Sequence, residues 1–441
     1  MTRTLRGDTL SRLSAEVFGL VAGIGAGLLT ARWLGPSGKG IYASLTLLAS
    51  LAVQGSVLGL GESLIVLTAD GKRQLRAAFS TTLTAVLVSS ALGGALALLA
   101  ARWQFGSDWE RVALPALIMA VGVPVSVLTQ TVSLALNAVG QVRESSHANI
   151  VTIAVTTATL AAALVAFEFG VPGALAAGVL GSIVGAAYAG RRLGRRVSWR
   201  LAVDKDYLRS ALRFGVVLQL SALFMMAAAR ADLLLVLNLL GSAEAGFYSV
   251  ALTVGLTTTM ASNALAYASF PRVAGADSSA AGAEVHRLTR LTSAFALVMA
   301  GGLAVVQPIL IPFLFGRDFQ PAVVPAVVLL IGGVPAATQW VLCRLAAARS
   351  HPGIAVASFS SSLVVMLLLD LVLIPTLGLA GAAVASGLSS LVGLLLAVVL
   401  LGRTPTLRMG LLDVVPRMSD FAALAAVAKS VVGGWRLRRG N

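Results

Sequence analysis

Leu34-Gly35-Pro36-Ser37-Gly38-Lys39-Gly40-Ile41-Tyr42-Ala43 and Leu240-Gly241-Ser242-Ala243-Glu244-Ala245-Gly246-Phe247-Tyr248-Ser249 are two copies of one signature, and reading them together decides the fold. Gly35 and Gly241, Gly40 and Gly246, and Tyr42 and Tyr248 coincide at a constant offset of 206 residues. A second correspondence links Gly173-Ala174 and Leu180 to Gly185 with Gly381-Ala382 and Leu388 to Gly393, at an offset of 208. One loop insertion accounts for the drift. Chance similarity among Gly/Ala-rich segments is the alternative, but two motifs agreeing in order and orientation favour an internal repeat.

Each copy of the signature follows a long apolar run. A membrane-spanning helix needs roughly 20 mostly apolar residues, since the hydrocarbon layer is about 30 Å thick and each residue rises about 1.5 Å. Runs of that kind lie near 14–33, 41–67, 77–101, 112–136, 148–168 and 171–190, and again near 214–240, 246–270, 291–315, 321–345, 354–375 and 379–402. Gly170-Val171-Pro172 and Pro375 mark the tight turns inside the last pair of each set. The runs are too long and too uniformly apolar for barrel strands. Composition agrees: 57% of the 441 residues are hydrophobic, 12% are charged, and mean hydropathy is +0.90. Soluble domains carry about 25% charged residues. The first run ends at Arg32 with no small-residue cleavage site, which predicts a retained signal anchor.

The net charge of +15 would suggest nucleic acid in a soluble protein. Its placement gives another explanation, and no nucleic-acid partner is expected. With the N-terminus in the cytoplasm, 27 of the 33 basic residues fall on the inner side, including Arg191, Arg192, Arg195, Arg196, Arg200, Lys205, Arg209 and Arg213 of one central stretch. Arg32, Lys39, Arg102, Arg111 and Arg317 fall outside, and Arg230 lies within a span. This bias predicts both termini inside, with the inner charges against anionic lipid headgroups. Each half then contains an even number of spans, so the repeat is parallel and its axis runs along the membrane normal. The expected fold is an all-α integral membrane protein of about twelve transmembrane helices. Two six-helix lobes, 1–190 and 214–403, are joined by a basic cytoplasmic linker, 191–213, and followed by a basic amphipathic tail, 404–441.

Ala31-Arg32-Trp33-Leu34-Gly35-Pro36-Ser37-Gly38-Lys39-Gly40-Ile41-Tyr42 resembles the end of the first helix in the polysaccharide-transporter family, which contains bacterial flippases of lipid-linked repeat units. Leu373-Ile374-Pro375-Thr376-Leu377-Gly378-Leu379-Ala380-Gly381-Ala382-Ala383 is similar to that family's segment joining helices eleven and twelve, and Phe270-Pro271 and Asp232 also fit its pattern. The resemblance extends to about residue 403. It implies two bundles forming a V around a central cavity, as in the wider superfamily of multidrug-extrusion proteins and lipid II flippases. It further implies a polyprenyl-diphosphate-linked oligosaccharide as substrate, moved across a bacterial inner membrane by a monomer working beside other polysaccharide-assembly proteins. Asp370 departs from the pattern, standing where many relatives carry asparagine.

Ionisable residues inside a span are costly, so they are functional candidates. Arg12 and Glu16 share a face of the first helix with Gly19 and Gly23, and Gly19, Gly23 and Gly27 form a small-residue stripe read as either a packing contact or a cavity face. Glu62 lies near the inner end of the second helix with Gly55 and Gly59 on its face. Gln219, Met226 and Arg230 share a face of the seventh, whereas Asp232 points nearly the opposite way and cannot readily neutralise Arg230. Arg230 is the strongest cationic candidate for a diphosphate. Arg344 and Asp370 complete the set. The tail stretch 411–432 reads as an interfacial amphipathic helix.

No phosphate-binding loop occurs, and three histidines and one cysteine offer no metal-site spacing. An enzyme is therefore disfavoured and no cofactor is expected, beyond coupling to H+, Na+ or membrane potential. A multidrug-type cation antiporter is the competing reading, and it requires acidic residues to dominate the cavity.

Overall fold

The computed structural model describes residues 2–69, 75–197, 199–275, 278–348, 351–404 and 409–426. Side chains at 2–10, 12, 13, 16, 69, 195, 260–275, 278–281 and 348 are not among those described. Arg12, Glu16 and Phe270-Pro271 therefore fall outside, as do Lys72 and Arg73. Among the described residues the fold is helical throughout, without a strand.

The helices are α1 (Thr2–Val57), α2 (Leu60–Ala69), α3 (Leu75–Phe105), α4 (Trp109–Ala138), α5 (Val142–Ala161), α6 (Gly170–Leu193), α7 (Lys205–Arg230), α8 (Asp232–Leu240), α9 (Ser242–Gly275), α10 (Ser278–Phe315), α11 (Val323–Ala348), α12 (Pro352–Leu377) and α13 (Leu379–Gly402). Nine stretches among the described residues are long and apolar enough to cross a membrane, against the twelve runs read from sequence. Two of the nine, Val17–Thr68 and Leu75–Ala138, run to 52 and 64 residues. Each is about twice the length one crossing needs. Outward leucines mark the lipid-facing side: Leu92, Leu96 and Leu99 of α3 are 62%, 65% and 64% exposed at helical spacing.

The chain forms two compact units, Met1–Ser249 with Leu314–Asp318, and Val250–Phe313 with Phe319–Asn441. In the first unit Leu60, Leu64, Phe79, Val86, Val127, Leu136 and Tyr207 share one buried core. The segment after α6 is docked here. Asp204 accepts the Tyr207 N–H (3.0 Å) and so caps α7, which starts inside the stretch read as linker. The Asp204 N–H in turn donates to Thr81 Oγ1 (2.9 Å), Ser80 donates to the Arg200 carbonyl, and Trp199 meets Phe79 edge-on at 5.3 Å. Hydroxyls of α3 thus serve the linker backbone.

The repeat is visible in the backbone. Gly35 (φ 65, ψ −178) kinks α1 before Pro36, and Gly241 (φ 97, ψ 178) separates α8 from α9 in the same conformation. Gly170 and Gly378, 208 apart, both have φ 60; the first opens α6 and the second immediately precedes α13. Positive φ of this kind favours glycine over any residue with a Cβ. The two signatures also touch. A Cβ on Gly40 would fall 1.9 Å from the Ser242 carbonyl oxygen, and one on Gly246 would fall 2.0 Å from that of Pro36.

In the second unit Gln339 of α11 donates to Ser358 (2.8 Å) and Ser362 (3.0 Å) of α12, and Ser358 donates to the Gly393 carbonyl of α13 (2.8 Å). The tail packs here as well. Residues 418–426 are helical, Asp420 meets Arg290 of α10 at 3.4 Å, and Asp413 meets His286 at 3.7 Å. Leu411, Leu412, Val415 and Met418 stay exposed, as a segment resting at a lipid interface requires.

Candidate functional site

Two spans of the first unit are broken within their length, and the charges sit at the breaks. Leu58 (φ 52) and Gly59 (φ 67) separate α1 from α2, and Glu62 lies in the first turn of α2. Between α7 and α8 the break is one of the hydrogen-bond ladder only: Ala231 keeps helical dihedral angles (φ −67, ψ −22), while the Leu233 N–H turns to Asp232 Oδ1 and the Leu234 N–H to the Ala231 carbonyl (3.0 Å). Sequence reading placed Arg230 in mid-helix; no glycine or proline announces this break. At the first break, the Glu62 carboxylate in the opening turn of α2 complements the helix dipole. Broken helices with charged ends also supply binding groups at membrane depth in many transporters.

Asp232 is fully buried and its acceptors are occupied. Tyr248 donates its hydroxyl to Oδ2 (2.5 Å), and the Leu233 N–H donates to Oδ1 (2.8 Å). The divergence of Asp232 from Arg230 follows from their two-residue spacing. Arg230 is exposed, and among the described residues its guanidinium makes no hydrogen bond or ion pair. It remains within electrostatic reach of Asp232 and of Lys39.

Lys39 is the residue that sequence reading missed. It counted among the outer basic residues, yet it is 6% exposed. Pro36 opens the second arm of α1 immediately after the Gly35 kink, so Lys39 belongs to a helical turn. Its Nζ donates to Thr30 Oγ1 of the first arm (2.7 Å) and lies 5.7 Å from the Tyr42 ring centroid. Pro36 was the available signal, because proline is favoured in the first turn of a helix and marks its start. Gln104 of α3 secures the neighbourhood by donating to the Leu234 carbonyl of α8 (2.7 Å).

The remaining candidates separate. Gln219 is buried and donates to the Gln54 carbonyl, on a stripe of α7 with Ala211 and Gly215. Ser63 donates to the Ala211 carbonyl (2.8 Å), and Gly215 abuts Gly59 backbone to backbone. Gln219 is thus engaged in helix packing. Glu62 keeps Oε2 buried without a hydrogen bond. Arg344 and Asp370 belong to the second unit; Arg344 lies over Trp340 at 4.7 Å, and Asp370 is fully buried on α12. Along the small-residue stripe, a Cβ on Gly19 would meet Ile153 Cδ1 at 3.3 Å, whereas one on Gly23 or Gly27 would find nothing within 4 Å among the described residues.

A polytopic all-helical membrane protein with an internal repeat and charges at interrupted helices has an architecture met in many transporters. The profile of a family described as polysaccharide biosynthesis protein matches residues 29–324, and the chain belongs to that family. No curated relative matches significantly. Among solved structures, the chain is similar to an inward-closed lipid II flippase MurJ, with TM-score 0.71 and 12% identity over 92% of this chain and 88% of that one. It is similar to an inward-facing multidrug resistance MATE family transporter of the MOP superfamily, with TM-score 0.70 and 14% identity over 88% and 96%. It is likewise similar to the MATE multidrug transporter DinF-BH in complex with R6G, with TM-score 0.68 and 18% identity over 92% and 97%. The chain is therefore a multi-pass membrane protein with the fold of that superfamily.

Proposed function

We propose that this protein flips a lipid-linked saccharide, carried on a polyprenyl diphosphate, from the inner to the outer leaflet of a bacterial cytoplasmic membrane for surface-polysaccharide assembly. The observation that carries the reading is Arg230, an exposed guanidinium with no protein partner among the described residues, at a break within a membrane span. Lys39 adds a second cation within electrostatic reach, held by a neutral hydroxyl. Asp232, the one carboxylate beside them, is engaged by Tyr248 and Leu233. A diphosphate needs such countercharge in a medium of low dielectric, and a guanidinium offers forked donors to its oxygens. A binding site for organic cations would have the opposite balance.

The lipid tail stays in the bilayer while the head crosses, with H+, Na+ or the membrane potential as the driving force. The protein acts as a monomer with both termini in the cytoplasm, beside other polysaccharide-assembly proteins.

Arg230→Ala tests the reading through protein level and inner-leaflet lipid-linked saccharide, measured in the same cells. The expected result is a normal protein level with export reduced at least about tenfold, the scale of a lost charge-assisted hydrogen bond. Arg230→Lys should restore part of it, since charge returns without the fork. Normal export in Arg230→Ala overturns the assignment.

A further inference from the structure

Between α1, α4, α5 and α6 of the first unit lies a cavity of about 410 Å³. That is within the roughly 300–1,000 Å³ of small-molecule sites. Its lining is unusual for a membrane protein interior. Gln130, Ser133 and Asn137 of α4, Ser145 and Asn149 of α5, and Ser182 of α6 all border it, and among the described residues no ionisable side chain does. None of these six side chains hydrogen-bonds to the described residues, and Asn137 Oδ1 is buried without a partner.

Three other hydroxyls of the same lining behave differently. Thr129, Ser146 and Thr152 each donate to the carbonyl four residues earlier, at 2.8, 3.1 and 2.9 Å. That is the usual way a helix absorbs a hydroxyl in an apolar setting. Ser133, Ser145 and Ser182 forgo it. Asn137 Oδ1 is buried, whereas the other side chains are half-buried or, at Asn149, exposed, so their unused hydrogen-bonding groups stand open to an occupant that hydrogen-bonds.

The donor set selects the occupant. A phosphate would call for arginine or lysine, a metal ion for carboxylates, and a hydrophobic drug for apolar walls; the described lining holds no charged side chain, and its polar residues outnumber Ala15, Leu134 and Val142. Amides and hydroxyls that both donate and accept match an uncharged polyol, whose hydroxyls do the same. We propose that this cavity binds a neutral sugar ring, at a site built from residues other than Arg230 and Lys39. Its assignment to the head of a lipid-linked substrate rests on the flippase reading above, but the chemistry of the cavity does not.

The test is thiol protection in purified Ser133→Cys protein carrying Cys343→Ser, reconstituted in lipid nanodiscs. The modification rate by N-ethylmaleimide is followed with glucose, galactose, rhamnose or N-acetylglucosamine, and with NaCl, pyrophosphate or rhodamine 6G. At least one sugar should slow labelling saturably, while the salts and the dye should not. Adding Asn149→Leu should raise the half-protecting concentration about tenfold, the loss expected for an amide's hydrogen bonds. Ser145→Ala should raise it by a smaller factor, and covers the case in which Asn149→Leu does not fold. Arg230→Ala should leave it unchanged. Absence of protection by any sugar, equal protection by NaCl or dye, or protection indifferent to both cavity variants overturns the proposal. Sugar protection in a protein that does not flip lipid-linked saccharide would refute the transport reading and leave the cavity standing; flipping without protection would do the reverse.

Discussion

Gly246→Ala adds one methyl group where the two halves of the repeat meet. Its Cβ would lie 2.0 Å from the Pro36 carbonyl oxygen, 2.8 Å from that carbonyl carbon and 3.1 Å from the Pro36 Cα. Real Cβ atoms essentially never approach a neighbour closer than 3.0 Å. The opposing atoms are backbone, so no rotamer change relieves the overlap, and the second arm of α1 must retreat by about 1 Å against a packed interior. Overpacking of this kind costs about 1–3 kcal/mol, and a backbone obstruction belongs at the upper end. Gly40→Ala should act alike, because its Cβ meets the Ser242 oxygen at 1.9 Å. Gly23→Ala is the control. It meets nothing within 4 Å, and alanine in place of a helical glycine stabilises by about 0.5–1 kcal/mol. The two changes should therefore shift stability in opposite directions. Thermal unfolding in detergent, followed by tryptophan fluorescence, reads the difference through Trp33, Trp103, Trp109 and Trp199 of the first unit. A Gly246→Ala melt superimposable on that of the parent would refute the facing of the two signatures.

Lys39→Met should leave the protein folded, and as stable or more so, because it removes a buried charge held only by Thr30 and Tyr42. Polysaccharide export should nevertheless fall as far as in Arg230→Ala; unchanged export would reduce Lys39 to a structural residue. Asp420→Ala should free the tail from α10 and speed tryptic cleavage at Arg417 about tenfold. Arg290→Ala should match it, with the double variant no faster than either. Additive rates would show that the two residues act separately.

The glycines that carry the repeat were legible because a positive φ demands a residue type, so Gly35 and Gly241 mark the same backbone turn in letters and in space. The membrane class was legible from run length, since hydrocarbon thickness constrains every span. Lys39 was overlooked as a site residue for a local reason: Gly-Pro reads as the start of a loop, whereas here the helix resumes at Pro36 and carries the lysine into the helix packing. The interruption at Ala231 left no mark, because the backbone stays helical there and only the Leu233 N–H is diverted, to the side chain of Asp232. Spacing alone left Gly23 and Gly27 undecided, since a small-residue stripe looks the same facing a helix or open space. The polar cavity was invisible because Gln130, Ser133, Asn137, Ser145, Asn149 and Ser182 come from three helices and form no linear motif.

The central claim is tested most directly with purified protein in liposomes carrying a labelled polyprenyl-diphosphate-linked saccharide in both leaflets. An impermeant glycosidase added outside reports which molecules reach the outer leaflet. The wild-type protein should expose the inner-leaflet pool to cleavage, whereas Arg230→Ala and Lys39→Met vesicles should lose only the outer-leaflet share, as protein-free vesicles do. Cleavage by wild type that stops at the protein-free level, in vesicles that accumulate rhodamine 6G under an imposed ion gradient, would contradict the account and favour a multidrug transporter.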